Sequence, residues 1–392
     1  MIKNALKEAL LTLLALLCGP ILTAQETESF ALPNGLQIRT RHLANTGIVS
    51  ARLVLSWTEG DEKAPAGTAW IMSMVLPALG SGGMDRDEFQ SRKDQAGVLS
   101  QITVGNGWIA WTFDAVPANA DMMIQLLADE ALRPAWAASE RLPELLAKAW
   151  EGRQFKDERS EAVHAFKTAV KDPDVPNLPD APIDAERFYA LWSNVRRPEI
   201  AALCIVGDIE SLSLRRIIFQ HFGPWEGVRA NKTEAEQTKT AKTTNASKPE
   251  WLKRLVNRNE DCPEIWVGWN LDNLSPDEIA PFTALIPWLL REALPASDEV
   301  ISAWEADPGG RWFRAAARPG VSLEKLESRL KAMLNLSITQ EMLDSAIAAR
   351  DEHARFNTLR PRRALEQGVS FTPSELSEII PFLTQFTTSP FF

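Results

Sequence analysis

Apolar and polar positions alternate along Ser50–Thr58, where Ala51, Leu53, Leu55 and Trp57 fall on one side of an extended chain, a pattern that predicts a half-buried strand. Ahead of it, Ala31-Leu-Pro-Asn-Gly35 followed by Leu-Gln-Ile-Arg-Thr predicts two strands joined at Asn34-Gly35, a pair suited to a tight turn. Thr68–Leu79 reads as an apolar helix, opened by Pro65-Ala-Gly67 and closed by Gly80-Ser-Gly-Gly83. Asp85–Gln95 is a polar helix ended by Gly97, and Trp108–Ala115 is another strand. Asn119 caps a helix that runs to Leu132, where Pro134 stops it, and a charged helix covers Ser139–Arg153. A loop rich in Pro and Asp spans Asp172–Pro182. It is followed by a helix at Asp184–Trp192, a strand at Ala201–Val206 and a helix at Ser211–Phe222.

Residues 230–250 are the clearest boundary in the chain. The tract is Lys, Thr, Glu, Asn and Ala with almost no large apolar side chain, a composition that predicts a flexible linker. Beyond it the pattern restarts, with a strand at Ile265–Trp269 and a helix opened by the capping box Ser275-Pro-Asp-Glu278. Pro281 and Pro287 should bend or break that helix before it reaches Ala293. Val300–Glu305 and Arg311–Ala317 form a hairpin pattern, helices follow at Ser322–Leu334 and Thr339–Arg355, and the apolar tail Pro373–Phe392 should dock on the body. The expected fold class is α+β: two related domains, residues 25–229 and 251–392, each an antiparallel sheet covered by helices, the second copy shortened.

At the N-terminus, Lys3 and Lys7 precede an apolar run from Ala9 to Leu22, and Thr23-Ala24 offers a small-residue cleavage point, so residues 1–24 read as a signal peptide. The run is about 14 residues, short of the roughly 20 that span a bilayer, so no permanent membrane span is expected. The protein is then secreted or periplasmic. A net charge of −10 with no basic stripe argues against a nucleic-acid partner. Export makes a disulfide between Cys204 and Cys262 possible, but both lie in strand-like runs, which favours two free buried thiols.

The series Leu32-Pro-Asn-Gly-Leu36, Gly67-Thr-Ala, Gly80-Ser-Gly, Leu126-Leu-Ala-Asp-Glu130 with Arg133-Pro134, Val206-Gly-Asp-Ile209 and Phe222-Gly-Pro-Trp225 resembles the insulinase/pitrilysin (M16-type) zinc metallopeptidases. The resemblance covers residues 30–228 well and 264–355 more loosely, and it implies an insulinase-like half-clamshell. In that family His-x-x-Glu-His follows Gly-Leu-Ala on a helix, so that two His at i and i+4 ligate zinc and the Glu activates the bound water. Here Trp70 and Met74 occupy the ligand positions and Ser73 that of the general base. Indole cannot ligate zinc, thioether prefers softer metals, and a lone hydroxyl is a poor base. The family's third ligand is a Glu on a later helix, and Glu144 and Glu151 are the possible relics.

No catalytic, metal or cofactor site is therefore expected. His42, His164, His221 and His353 are scattered, and Ser81 lies in a helix-ending loop without the context of a hydrolase nucleophile. The family's Arg and Tyr that engage the substrate backbone have no match at 293–305; the single tyrosine, Tyr189, is in the other half. The resemblance implies a partner: an active insulinase-family subunit or a second copy, with peptides as a further ligand. Two other readings stand beside it, an active zinc peptidase with a non-standard metal site and a stand-alone peptide-binding module.

Overall fold

A computed structural model of the chain describes residues 27–60, 62–136, 140–226, 250–257, 262–270, 288–289, 300–306, 311–334, 339, 341–342 and 344–349. The signal segment, the linker up to residue 249, most of the helix expected from Ser275 and the tail from Pro373 lie outside the described residues.

Six strands make the first sheet: β1 (Thr27–Ala31), β2 (Gln37–His42), β3 (Val49–Ser56), β4 (Leu99–Gly105), β5 (Trp108–Ala115) and β6 (Ala201–Gly207). Their order is β1-β2-β6-β3-β5-β4. The expected antiparallel sheet is corrected at one pairing, because β2 and β6 run parallel and the sheet is mixed. Their direction is not set by any turn between them: β6 enters from far along the chain, between two strands already laid down. Strand β3 also departs from the half-buried expectation, since Val49–Leu55 are buried on both faces. Its polar side chains find partners within the sheet, although Arg52 Nε stays unbonded: Ser50 donates to Asp114 at 2.5 Å, and the two terminal nitrogens of Arg52 donate to Thr112 at 3.1 Å and Thr103 at 3.0 Å. Burial of polar groups is tolerated where such partners exist.

The helices are α1 (Thr68–Leu79), α2 (Arg86–Gln95), α3 (Ala120–Leu132), α4 (Leu142–Glu151), α5 (Glu158–Ala169), α6 (Ala185–Val195) and α7 (Ser211–Phe222). Met72, Val75 and Leu76 of α1 and Ile124 and Leu127 of α3 join Leu53, Trp111, Phe113 and Leu203 of the sheet in one core. Lys93 of α2 and Glu130 of α3 form a buried ion pair at 3.0 Å. Asn119 precedes α3, but its side chain accepts no bond from the helix, and its amide donates to Ala96 O at 2.8 Å. Two elements here were not expected from the sequence, β4 and α5.

The recurring sequence motifs meet in pairs. Asn34, in the β1–β2 turn, donates to Phe222 O at 2.8 Å and Trp225 O at 3.0 Å, so the first motif is latched to the last. Ser81 bridges Pro134, and Ala135 N donates to Gly80 O at 3.1 Å, which ties the end of α1 to the end of α3.

A second sheet, β7-β8-β10-β9, is antiparallel throughout: β7 (Glu250–Asn257), β8 (Glu264–Asn270), β9 (Ile301–Ala306) and β10 (Trp312–Ala317). Strand β7 begins where the linker was expected to end and was not foreseen. Leu326 and Leu330 of α8 (Leu323–Leu334) pack on Ile265, Val267 and Phe313. A third cluster joins α5 to this sheet: Phe166 and Val170 against Trp266 and Trp312. Polar contacts reinforce it. Trp312 Nε1 donates to Asp172 at 2.7 Å, and the buried Glu264 accepts from Arg159 at 2.6 and 3.0 Å and from Arg314 at 2.6 Å.

Both cysteines outside the N-terminal segment are free thiols, but only Cys204 is buried; Cys262 is exposed, against expectation, because it sits in the turn ahead of β8 rather than inside the strand. Burial pushes the Cys204 thiol up to about 11. Iodoacetamide at neutral pH should therefore alkylate Cys262 in the native protein and spare Cys204 until the chain is unfolded, as read by peptide mapping. Equal labelling of the two in the native state would contradict this.

Candidate functional site

Helix α1 carries the positions where the resemblance puts a metal. It begins at Gly67, whose left-handed φ of 84° turns the chain from the preceding loop into the helix. No side chain of the local sequence caps α1. Glu59 does so from a distance, accepting from Ala69 N at 2.9 Å and Gly67 N at 3.1 Å, and Asn177 donates to the same carboxylate at 3.0 Å. A carboxylate is favoured at the positive end of a helix, yet burial outweighs these bonds and raises the Glu59 pKa. No spacing rule in the sequence points to Glu59.

Helix α1 packs against α4, and the three degenerate positions lie along this contact. Trp70 is half-buried, and its Nε1 donates to Ala149 O at 3.4 Å, a long bond across the two helices. Ser73 is turned back on its own helix, donating to Trp70 O at 2.8 Å. Met74 is 43% exposed, and its Cε would lie 3.6 Å from a Cβ built on Gly152, so the thioether reaches the end of α4. Of the two candidate relic ligands, Glu151 lies on the turn of α4 that meets Trp70 and Met74. Glu144 is two turns away, paired with Lys148 at 2.7 Å. That hydrogen bond holds its carboxyl below the usual carboxylate range.

The donor set does not fit a zinc ion. Indole Nε1 carries a hydrogen and has no lone pair to give, the Ser73 hydroxyl is spent on the backbone, and the thioether is soft. One carboxylate, Glu151, cannot hold zinc alone. Among the described residues no three His, Cys, Asp or Glu side chains come together in a way that could hold a metal. The described histidines stand apart: His42 meets Ile209 O, His164 meets Pro176 O and His221 meets Asp121. Ser81 is buried and its hydroxyl donates to Gly80 O. Tyr189 lies on α6, edge-on to Trp136 with ring centroids 5.0 Å apart. Residues 290–299, where most of a substrate clamp was sought, lie outside the described residues.

Beside Trp70 a cleft of about 470 Å³ opens, walled by residues 152–156, by α5 and by residues 174–178. Phe155 and Val163 supply apolar wall, while Arg153 and Lys156 stand on the 152–156 side. Sequence reasoning missed this cleft. Its cations are interleaved with Glu151, Asp157, Glu158 and Glu161, so no basic stripe is visible along the chain.

No protein-family model and no curated protein matches the sequence. Solved structures do. A protease from Helicobacter pylori superposes with a TM-score of 0.64 at 16% identity, over 92% of this chain and 93% of that one. A peptidase M16 inactive domain from Pseudomonas fluorescens gives 0.62 at 12%, over 92% of each chain. The fold is that of M16 peptidase chains. The periplasmic protease PqqL from Escherichia coli gives 0.57 at 12% identity, and there 93% of this chain covers 43% of the other. Among the described residues no helix is long and apolar enough to cross a membrane.

Proposed function

We propose that the protein is an exported, non-catalytic homologue of the insulinase-type peptidases, acting as the partner subunit or peptide-holding half of a peptidase assembly. One observation carries the reading. At the α1–α4 contact an indole bonds across to the Ala149 carbonyl, beside a serine spent on its own helix and a thioether. Ligand, base and second ligand are replaced together, and two of the substitutes are hydrogen-bonded to the backbone. The similar chain from Pseudomonas fluorescens is an inactive M16 domain, which supports a non-catalytic reading. The N-terminal charge and apolar pattern support export.

A stand-alone peptide binder is the second reading. It is favoured by β4, which ends the first sheet among the described residues and presents Leu99 at 69% exposure.

The protein purified in zinc-containing buffer and then desalted should carry well under about 0.1 equivalent of zinc by elemental analysis. A stoichiometric, tightly held zinc would instead favour an active peptidase with an unusual site. Light scattering with and without a His-x-x-Glu-His homologue from the same genome separates the remaining two. A partner subunit should form a complex with an interface above roughly 1,000 Å², whereas a stand-alone binder stays monomeric.

A further inference from the structure

We infer that the cleft beside Trp70 selects acidic peptide segments; this rests on the peptide-holding reading and names the class of peptide. Four cations face the cleft, Arg153, Lys156, Arg159 and Lys167, against one acid, Asp174. Two of the four are already neutralised. Arg159 is bound to Glu264 in a two-pronged pair, and Lys167 lies 3.8 Å from Asp172 and over the Trp312 ring.

The other two keep their charge. Arg153 lies 3.5 Å from the centroid of the Trp150 ring, a contact that orients the guanidinium without cancelling it. Lys156 is exposed and has no hydrogen bond or ion pair among the described residues. Both stand on the 152–156 wall, next to the apolar surface of Trp70 and Phe155. The occupant that uses both features carries a carboxylate side chain close to an apolar one. A cleft of 470 Å³ lies within the range of pockets that enclose a ligand of a few residues.

The overall charge of −10 opposes an anionic ligand. That repulsion is long-range and is screened beyond about 8 Å at physiological salt, whereas contacts with Arg153 and Lys156 act well inside that distance. The local attraction therefore wins once the peptide is in place.

The test uses the full chain and three nine-residue peptides of alternating Phe or Leu with Glu, Gln or Lys, each with the same uncharged dye, followed by fluorescence anisotropy. The Glu peptide should bind at least about tenfold tighter than the Gln peptide and lose that advantage near 0.5 M salt. Lys156→Glu should abolish most of the preference. The position is exposed, so the fold is retained, and an unchanged thermal midpoint verifies it. Arg153→Gln, which removes the charge and keeps the first three side-chain carbons, should weaken the Glu peptide and leave the Gln peptide alone. Equal binding of the Glu and Gln peptides, or a preference untouched by Lys156→Glu, overturns the acidic selection while the peptide-holding reading survives. Failure of all three peptides to bind overturns both.

Discussion

Gly67→Ala should destabilise the protein by about 3–4 kcal/mol, lowering the thermal midpoint by roughly 10 °C. Two costs combine. The native φ of 84° is left-handed and strains any residue with a Cβ. The added Cβ would also lie 2.3 Å from Pro179 N and 2.7 Å from Leu178 C, which are backbone atoms that cannot swing aside. Gly47→Ala isolates the first cost, since its φ is 66° and nothing lies within 4 Å of the added carbon; it should cost only about 1 kcal/mol. If the two variants unfold at the same denaturant concentration, the close approach of α1 to residues 178–179 is wrong. The substitution should also disturb peptide binding, because Leu178 lines the cleft and would be pushed with its loop.

Glu264→Ala should cost about 2–3 kcal/mol, read from denaturant unfolding followed by tryptophan fluorescence. The Glu264 carboxylate is 4% exposed and satisfies two guanidiniums at once, Arg159 on α5 and Arg314 on β10. Breaking a sealed pair of this kind costs about 3–5 kcal/mol. Here the arginine side chains are 49% and 24% exposed, so water recovers part of their solvation and the lower figure applies. Trp266 and Trp312 lie in the same joint and report on it directly. An effect below about 0.5 kcal/mol would mean that the Phe166–Trp312 packing holds α5 to the second sheet without the ion pairs.

The elements legible in the sequence were those whose residues carry a strong local signal. The Asn34-Gly35 turn, the apolar helix after Gly67 and the run Ala201–Gly207 all appear close to where the pattern put them. Those that escaped notice are quiet for physical reasons. Strand β4 shows three exposed positions before it turns inward. Helix α5 buries only Phe166, so its apolar periodicity is faint. The parallel direction of β6 is a long-range property that no local turn encodes. At the site, the positions Trp70, Ser73 and Met74 could be read from their spacing after Gly67. The choice between Glu144 and Glu151 could not, because both suit the spacing. Glu59 and the cations of the cleft depend on loops folding back, which leaves no periodic trace.

The parallel pairing of β2 with β6 carries a kinetic consequence. Until residues 201–207 have been synthesised and closed a loop on the order of 150 residues, the sheet exists as two unconnected pieces, the β1–β2 hairpin and the three strands β3, β5 and β4. Each then offers an open edge on the side that β6 will fill, in β2 and in β3, and the β3 edge is apolar along Val49, Leu53, Val54 and Leu55. Contacts of such sequence separation place the domain among slow folders. A chain halted before β6 is the species most exposed to edge-to-edge aggregation, and the arrival of that single strand closes both of these edges at once.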